Sequence, residues 1–278
     1  MVDQGVGDTP RGDSVQRRAS FDFGAVFNDA FHLMFDEWKP LVGAMLLLVV
    51  LPLTALLAFV PEEFFLFILG EANAGATGSI LYVGIFLLGV VFLATAFVLF
   101  PAVVTILGMA GLSGRRQLLG DALRVSIQRF LPLSGAMILM TVGSLLGLAF
   151  FIVPGIILAS AWYVVMGPAA VEEQGPIESL RRSWELTDGY KWSVFLVLIV
   201  SSILGGISAS VLEIISADLI MPSAGTRSAI ASVPGLLVSA LGTGVETLIT
   251  SAFIVSTYHH LRVLREGTAA GEIADIFG

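Results

Sequence analysis

Cysteine is absent from the 278 residues, so the chain has neither a disulfide framework nor a thiolate to act as nucleophile or metal ligand. Charge is scarce: Asp, Glu, Lys and Arg make up 13% of the chain, about half the share usual in soluble domains. Histidine occurs three times, at His32, His259 and His260, which leaves little for metal or proton chemistry. What fills the chain instead is apolar. Hydrophobic residues are 56% of it, with a mean hydropathy of +0.92. That much apolar surface cannot be hidden in one globule, so lipid must be part of its solvent. The net charge of −8 argues against a nucleic-acid partner, and no cofactor is expected.

A membrane-crossing helix needs about 20 mostly apolar residues. That rule yields six spans, at 40–60, 79–110, 132–152, 154–171, 192–216 and 234–262. Pro101 is expected to kink the second, and Val153-Pro154-Gly155 to form the turn between the third and fourth. Of 14 Lys and Arg residues, 13 fall on one side of these spans and only Arg227 on the other. The positive-inside rule then places both termini in the cytoplasm of a multi-pass inner-membrane protein. Residues 1–20 are polar, lack the apolar core of a cleavable signal peptide, and read as a disordered cytoplasmic tail. Residues 267–278 read as a second tail, leaving 21–266 as one membrane domain.

The domain repeats itself. "PLVGAM" at 40–45 recurs as "PLSGAM" at 132–137, and each is preceded by an amphipathic segment. In the first segment Phe23, Phe27, Ala30, Phe31, Met34, Phe35 and Trp38 recur at helical spacing, with Asp22, Asp29, His32, Asp36 and Glu37 opposite. Related segments precede the third and fifth spans. The aligned tetrads are Asp29-Ala30-Phe31-His32, Asp121-Ala122-Leu123-Arg124 and Glu178-Ser179-Leu180-Arg181. Their acid and base lie three residues apart, as helix-surface neighbours do. The expected fold is therefore all-α: three units of interfacial helix plus transmembrane hairpin, at about 21–112, 113–174 and 175–266.

The run "VVMGPAAVEEQGPIESLRRSWELTDGYKW", at 164–192, resembles a signature of a bacterial and archaeal membrane-domain family. That domain precedes the catalytic domain of some glycerophosphoryl diester phosphodiesterases and also occurs as stand-alone six-span proteins. The matching positions are Glu172, Glu173, Gly175, Leu180, Ser183, Trp184, Leu186, Gly189 and Trp192. The resemblance implies a membrane module without phosphodiesterase activity, because no histidine is followed by Arg-Gly and the membrane domain uses up the chain.

Two groups of polar residues stand out. Glu172 and Glu173, with Arg181, Arg182, Ser183 and Trp184, form a candidate structural motif in which an acid pairs with Arg181 or Arg182. They also invite comparison with intramembrane proteases that use Glu-Glu-x-x-x-Arg, but Ile177 stands where the arginine should be. The second group is Ser239, Thr243, Glu246 and Thr250, joined by Thr257, within about 60° of one another on a helical wheel. Glu246 lies about 24 Å of helix from Arg262, deep in the membrane. Two readings of that stripe remain open: a polar intramembrane site, or a seam of helix–helix hydrogen bonds.

The expected protein is a non-catalytic membrane module or scaffold in envelope or lipid homeostasis. The competing reading is a small transporter or channel for a lipid-like or amphiphilic solute, built around Glu246. The expected partners are membrane lipids, together with a second copy or another membrane protein. Gly143-x-x-x-Gly147 allows helices to approach closely, within the bundle or between copies.

Overall fold

Runs of Leu, Val, Ile and Phe without interior charge satisfy their backbone groups only as helices once lipid replaces water. The computed structural model describes residues 20–59, 75–220 and 233–277, and among these it is helical with no strand. Six helices are long and apolar enough to cross a membrane: Trp38–Leu56, Phe86–Leu112, Phe130–Phe150, Ile152–Ala170, Lys191–Ser216 and Pro234–Gly267. These coincide with the expected spans. Residues 1–19, 60–74, 221–232 and 278 lie outside the described residues, and with them most of the expected N-terminal tail and Arg227.

In chain order the elements are α1 (Phe23–Asp36), α2 (Trp38–Met45), a π-helical turn (Leu46–Val50), α3 (Leu51–Phe59), α4 (Gly75–Leu112), α5 (Leu119–Gln128), α6 (Phe130–Phe150), α7 (Ile152–Ala161), α8 (Met166–Ala170), α9 (Pro176–Thr187), α10 (Lys191–Ile220) and α11 (Val233–Phe277). The segment expected as a C-terminal tail is thus the helical end of α11 up to Phe277.

Proline explains two irregularities. Pro52 has no N–H to give Leu48, and its ring would press on that carbonyl; the π-helical turn sits just before it and widens the backbone there. In the fourth span Gly167-Pro168 has the same effect more severely. The helix stops at Ala161, the chain turns through Trp162–Val165, and a single short helix, α8, completes the span. The expected continuous helix over 154–171 is therefore two pieces. By contrast α4 stays helical through Pro101, whose carbonyl accepts from the Thr105 hydroxyl at 2.7 Å.

The turn between α6 and α7 is also tighter than expected. Phe151 alone is extended, and Val153, Pro154 and Gly155 already belong to the first turn of α7. A side chain on Gly155 would lie 2.5 Å from the backbone nitrogen of Leu148, so only glycine lets the two helices close. Gly143 and Gly147 serve the same hairpin, seating Trp162 and Leu158. The glycine pair therefore packs within the bundle.

α11 forms the centre. α1 lies across it: the Ser256 hydroxyl donates to Val26 O at 2.6 Å, the Asp22 N–H donates to His260 Nε2 at 3.1 Å, and Phe27 meets Phe253 edge-on. α1 meets the rest of the protein through its smaller apolar residues. Val26, Ala30 and Leu33 are buried, whereas Phe31, Phe35 and Trp38 are exposed. The smaller residues fit the close approach to α11 and to Gly108 of α4, leaving the aromatic rings at the rim, where Phe and Trp suit a membrane interface. The in-helix pairs also differ from the tetrads. His32 pairs with Asp36 and Arg181 with Glu185, each four residues on, while Asp29 faces His259 at 3.6 Å.

Candidate functional site

The break in the fourth span exposes a carbonyl that an unbroken helix would have used. Ala161 O is met by α9: the Ser183 hydroxyl donates to it at 2.8 Å, and Thr187 Oγ1 lies at 3.2 Å. Thr187 has one hydrogen and a nearer acceptor, Ser183 O at 2.9 Å, so Ser183 is the principal donor. Both hydroxyls are buried. Ser183→Ala alone is expected to cost under about 1 kcal/mol, because Thr187 can turn to Ala161 O. Ser183→Ala with Thr187→Val orphans that carbonyl and is expected to cost about 2 kcal/mol. Thermal unfolding of the two variants in detergent checks this. Equal losses would remove Thr187 from the account.

α9 begins where its sequence says it should. Gly175 is the N-cap, Pro176 occupies the first helical position, and Glu178 Oε2 accepts from the Gly175 N–H at 3.0 Å. It ends at Gly189, whose φ of +77° suits glycine and turns the chain into α10. Glu173, just before α9, also has positive φ (58°), and its carbonyl accepts from the Arg129 guanidinium.

Between α8, α9 and α11 lies a chain of polar side chains. The Tyr258 hydroxyl donates to Glu172 Oε1 at 2.6 Å, and Glu172 Oε2 accepts from Arg182 Nε at 3.1 Å and from Gln174 Nε2 at 3.0 Å. Arg182 reaches on to Glu266 Oε1 at 3.0 Å, which Arg262 also meets at 3.0 Å. Two acids and two arginines balance. Glu172 and Arg182 are 15% and 28% exposed, shielded enough for their pairing to matter. Of the candidate motif, Glu172 and Arg182 are thus together. Arg181 turns outward to Glu185, and Glu173 turns to Arg129 at 3.6 Å. Trp184 has the Lys191 ammonium 3.8 Å over its ring, and Lys191 also meets Asp188 at 3.2 Å.

Tyr258 and Glu266, which complete the chain, were missed by sequence reasoning because they lie 86 and 84 residues from their partners. In the structure Gly167 makes room for Tyr258: a Cβ there would stand 2.4 Å from its ring.

No family of known proteins matches the chain, nor does any curated protein or solved structure. The site must be read on its geometry.

Glu246 stands apart from this cluster. Its side chain is exposed, crosses Gly205 of α10, and has no hydrogen-bond partner among the described residues. Ser239, Thr243 and Thr250 line the same side of α11 and are half-buried. Thr243 Oγ1 lies 3.4 Å from Ser239 O, within its own helix, and Thr257, further along, is buried and bonded to Phe253 O. No group of three His, Asp or Glu residues that could hold a metal occurs among the described residues. A cleft of about 290 Å³ opens beside the first turn of α10, lined by Ile156, Ile157, Ser160, Gly189, Lys191 and Trp192. Its wall is mainly apolar, and its one cation, Lys191, is the one held over Trp184 and against Asp188.

Proposed function

We propose that this multi-pass protein is a non-catalytic module of the cytoplasmic membrane, a scaffold in envelope or lipid homeostasis, with both termini cytoplasmic. In this reading α1, α5 and α9 are the interfacial helices of three repeated units, and the chain groups with the membrane domains associated with glycerophosphoryl diester phosphodiesterases. One observation carries it: Glu172, Arg182, Ser183 and Trp184 of the 164–192 run are engaged in joints among α7, α8, α9, α10 and α11. Ser183 serves Ala161 O, Glu172 and Arg182 join Tyr258 to Glu266, and Trp184 receives Lys191. Residues spent on joints in this way are what a platform requires.

A second reading is favoured by Glu246. Its carboxyl is on the surface in a Ser/Thr stripe, which fits the headgroup of a lipid-like solute moving along the protein better than a hydrated ion in a closed pore. Reconstitution separates the two. In phospholipid vesicles the scaffold is expected to leave the transfer rate of a fluorescent phospholipid analogue unchanged. Proximity labelling in native membranes is expected to recover a fixed set of membrane proteins. Analogue transfer that depends on the protein and is abolished by Glu246→Gln would overturn the scaffold in favour of the transporter.

A further inference from the structure

α10 and α11 pair as antiparallel helices along a line of small residues. Gly242 sits against Ala209 and Leu212, and Gly205 against Glu246. Glu246 is 14 residues, about 21 Å of helix, from His260, and 12 residues, about 18 Å, from Pro234. The carboxyl is therefore held near mid-membrane, where a charge costs at least about 2.5–3.5 kcal/mol and where lipid chains offer no hydrogen bond. Its own protomer gives it none among the described residues.

The surroundings of that carboxyl are unusual for a lipid-facing surface. Starting from the Ala209–Gly242 contact line, Ser202, Gly206 and Ser210 follow within about 100° around α10, at intervals of four. Glu246, Ser239, Thr250 and Thr243 follow within about 100° around α11. Because the helices run antiparallel, equal turns past the contact line carry both sets to the same side of the pair. Ser202 and Ser210 are exposed, and a side chain added at Gly206 would meet nothing within 4 Å. Apart from Glu213, the remaining exposed side chains described on α10 are apolar, among them Ile203, Ile207, Val211, Ile214 and Ile215, as lipid demands.

We infer that this face is the contact with a second copy of the chain, packed about a two-fold axis close to Glu246. Serine and threonine hydroxyls of one copy can donate to the Glu246 carboxyl of the other, and the same holds in reverse, which makes the patch self-complementary as a two-fold interface requires. The small residues at 202, 206 and 210 allow the backbones to approach as transmembrane helix pairs do. The inference holds whether the module scaffolds or transports.

The chain contains no cysteine, so single reporters are unambiguous. Ser202→Cys and Ser210→Cys are to be oxidised in native membranes and in vesicles at falling protein density, with Leu145→Cys, exposed on α6, as the control face. Disulfide-linked dimers are expected from positions 202 and 210 and not from 145. Adding Glu246→Gln is expected to keep the dimer, and Glu246→Leu to weaken it about tenfold, the scale of an interhelical hydrogen bond in a bilayer. If Glu246→Leu fails to fold, the cysteine pattern in the otherwise unchanged chain decides alone. Equal linking at all three positions, a monomer at every density, or an adduct to a different protein that the purified chain does not reproduce as a dimer would each overturn the inference.

Discussion

Gly167→Ala is expected to lower the stability of the protein by about 3 kcal/mol, the upper part of the range for overpacked cores. The added Cβ would stand 2.4 Å from two carbons of the Tyr258 ring, far inside contact distance. The ring is fully buried, and its hydroxyl is committed to Glu172 at 2.6 Å. It cannot swing aside without surrendering that bond. α8 cannot retreat either, because all of its residues from Met166 to Ala170 are themselves buried. Heating in detergent followed by size-exclusion chromatography should show the loss as a midpoint about 6–12 °C lower. Gly84→Ala is the control: a Cβ there meets nothing within 4 Å, so the change should be neutral or slightly stabilising. A further variant with Tyr258→Leu makes room for the methyl group, so the double variant should lose less than the sum of the single ones. Additive losses would mean that the ring and the glycine do not oppose each other.

Arg182→Leu comes next in expected effect, at about 3 kcal/mol. It leaves Glu172 shielded and without its cation, and Glu266 dependent on Arg262 alone. Arg182→Lys should fall between the two, since one ammonium cannot reproduce the fork that meets Glu172 through Nε and Glu266 through a terminal nitrogen. Glu172→Gln in the Arg182→Leu background should recover part of the loss by removing the stranded charge. Unfolding curves of the four proteins test the series. If Arg182→Leu lies within about 0.5 kcal/mol of the parent, the pair is a surface ornament.

Much of this architecture was legible in the sequence because lipid imposes a simple rule. Runs of about 20 apolar residues must become helices, and the six spans followed from length alone. The start of α9 also has a local cause, Gly-Pro followed by a glutamate that caps, though the sequence reading did not use it. Boundaries set by two elements were harder. Gly167-Pro168 did signal the break after Ala161, but an apolar run hides such a signal, and only α9 supplies the hydroxyl that makes the break tolerable. Spacing placed the aromatic residues of α1 on one face, but it could not show which of its apolar residues would meet the rest of the protein. Next to α11 there was room for Val26, Ala30 and Leu33, and the rings went to the rim. In the polar cluster, the pairing of Glu172 with an arginine ten residues on could be anticipated from proximity. Tyr258 and Glu266 could not, since nothing in local spacing connects residues more than 80 positions apart.

The glycines that receive α11 also make the bundle depend on one member. Gly108 seats Val255, Gly167 seats Tyr258, and Gly205 seats Glu246, while Gly244 of α11 accepts Met45 and Val50. These seats belong to the first, second, fourth and fifth spans, so four separate helices take their position from one. Without α11 the other spans have notches and no axis, and the Glu172–Arg182 pair lacks both of its remote partners. A variant cut before Val233 would keep those spans and lose what gathers them, which makes α11 the keel on which the rest of the bundle is laid.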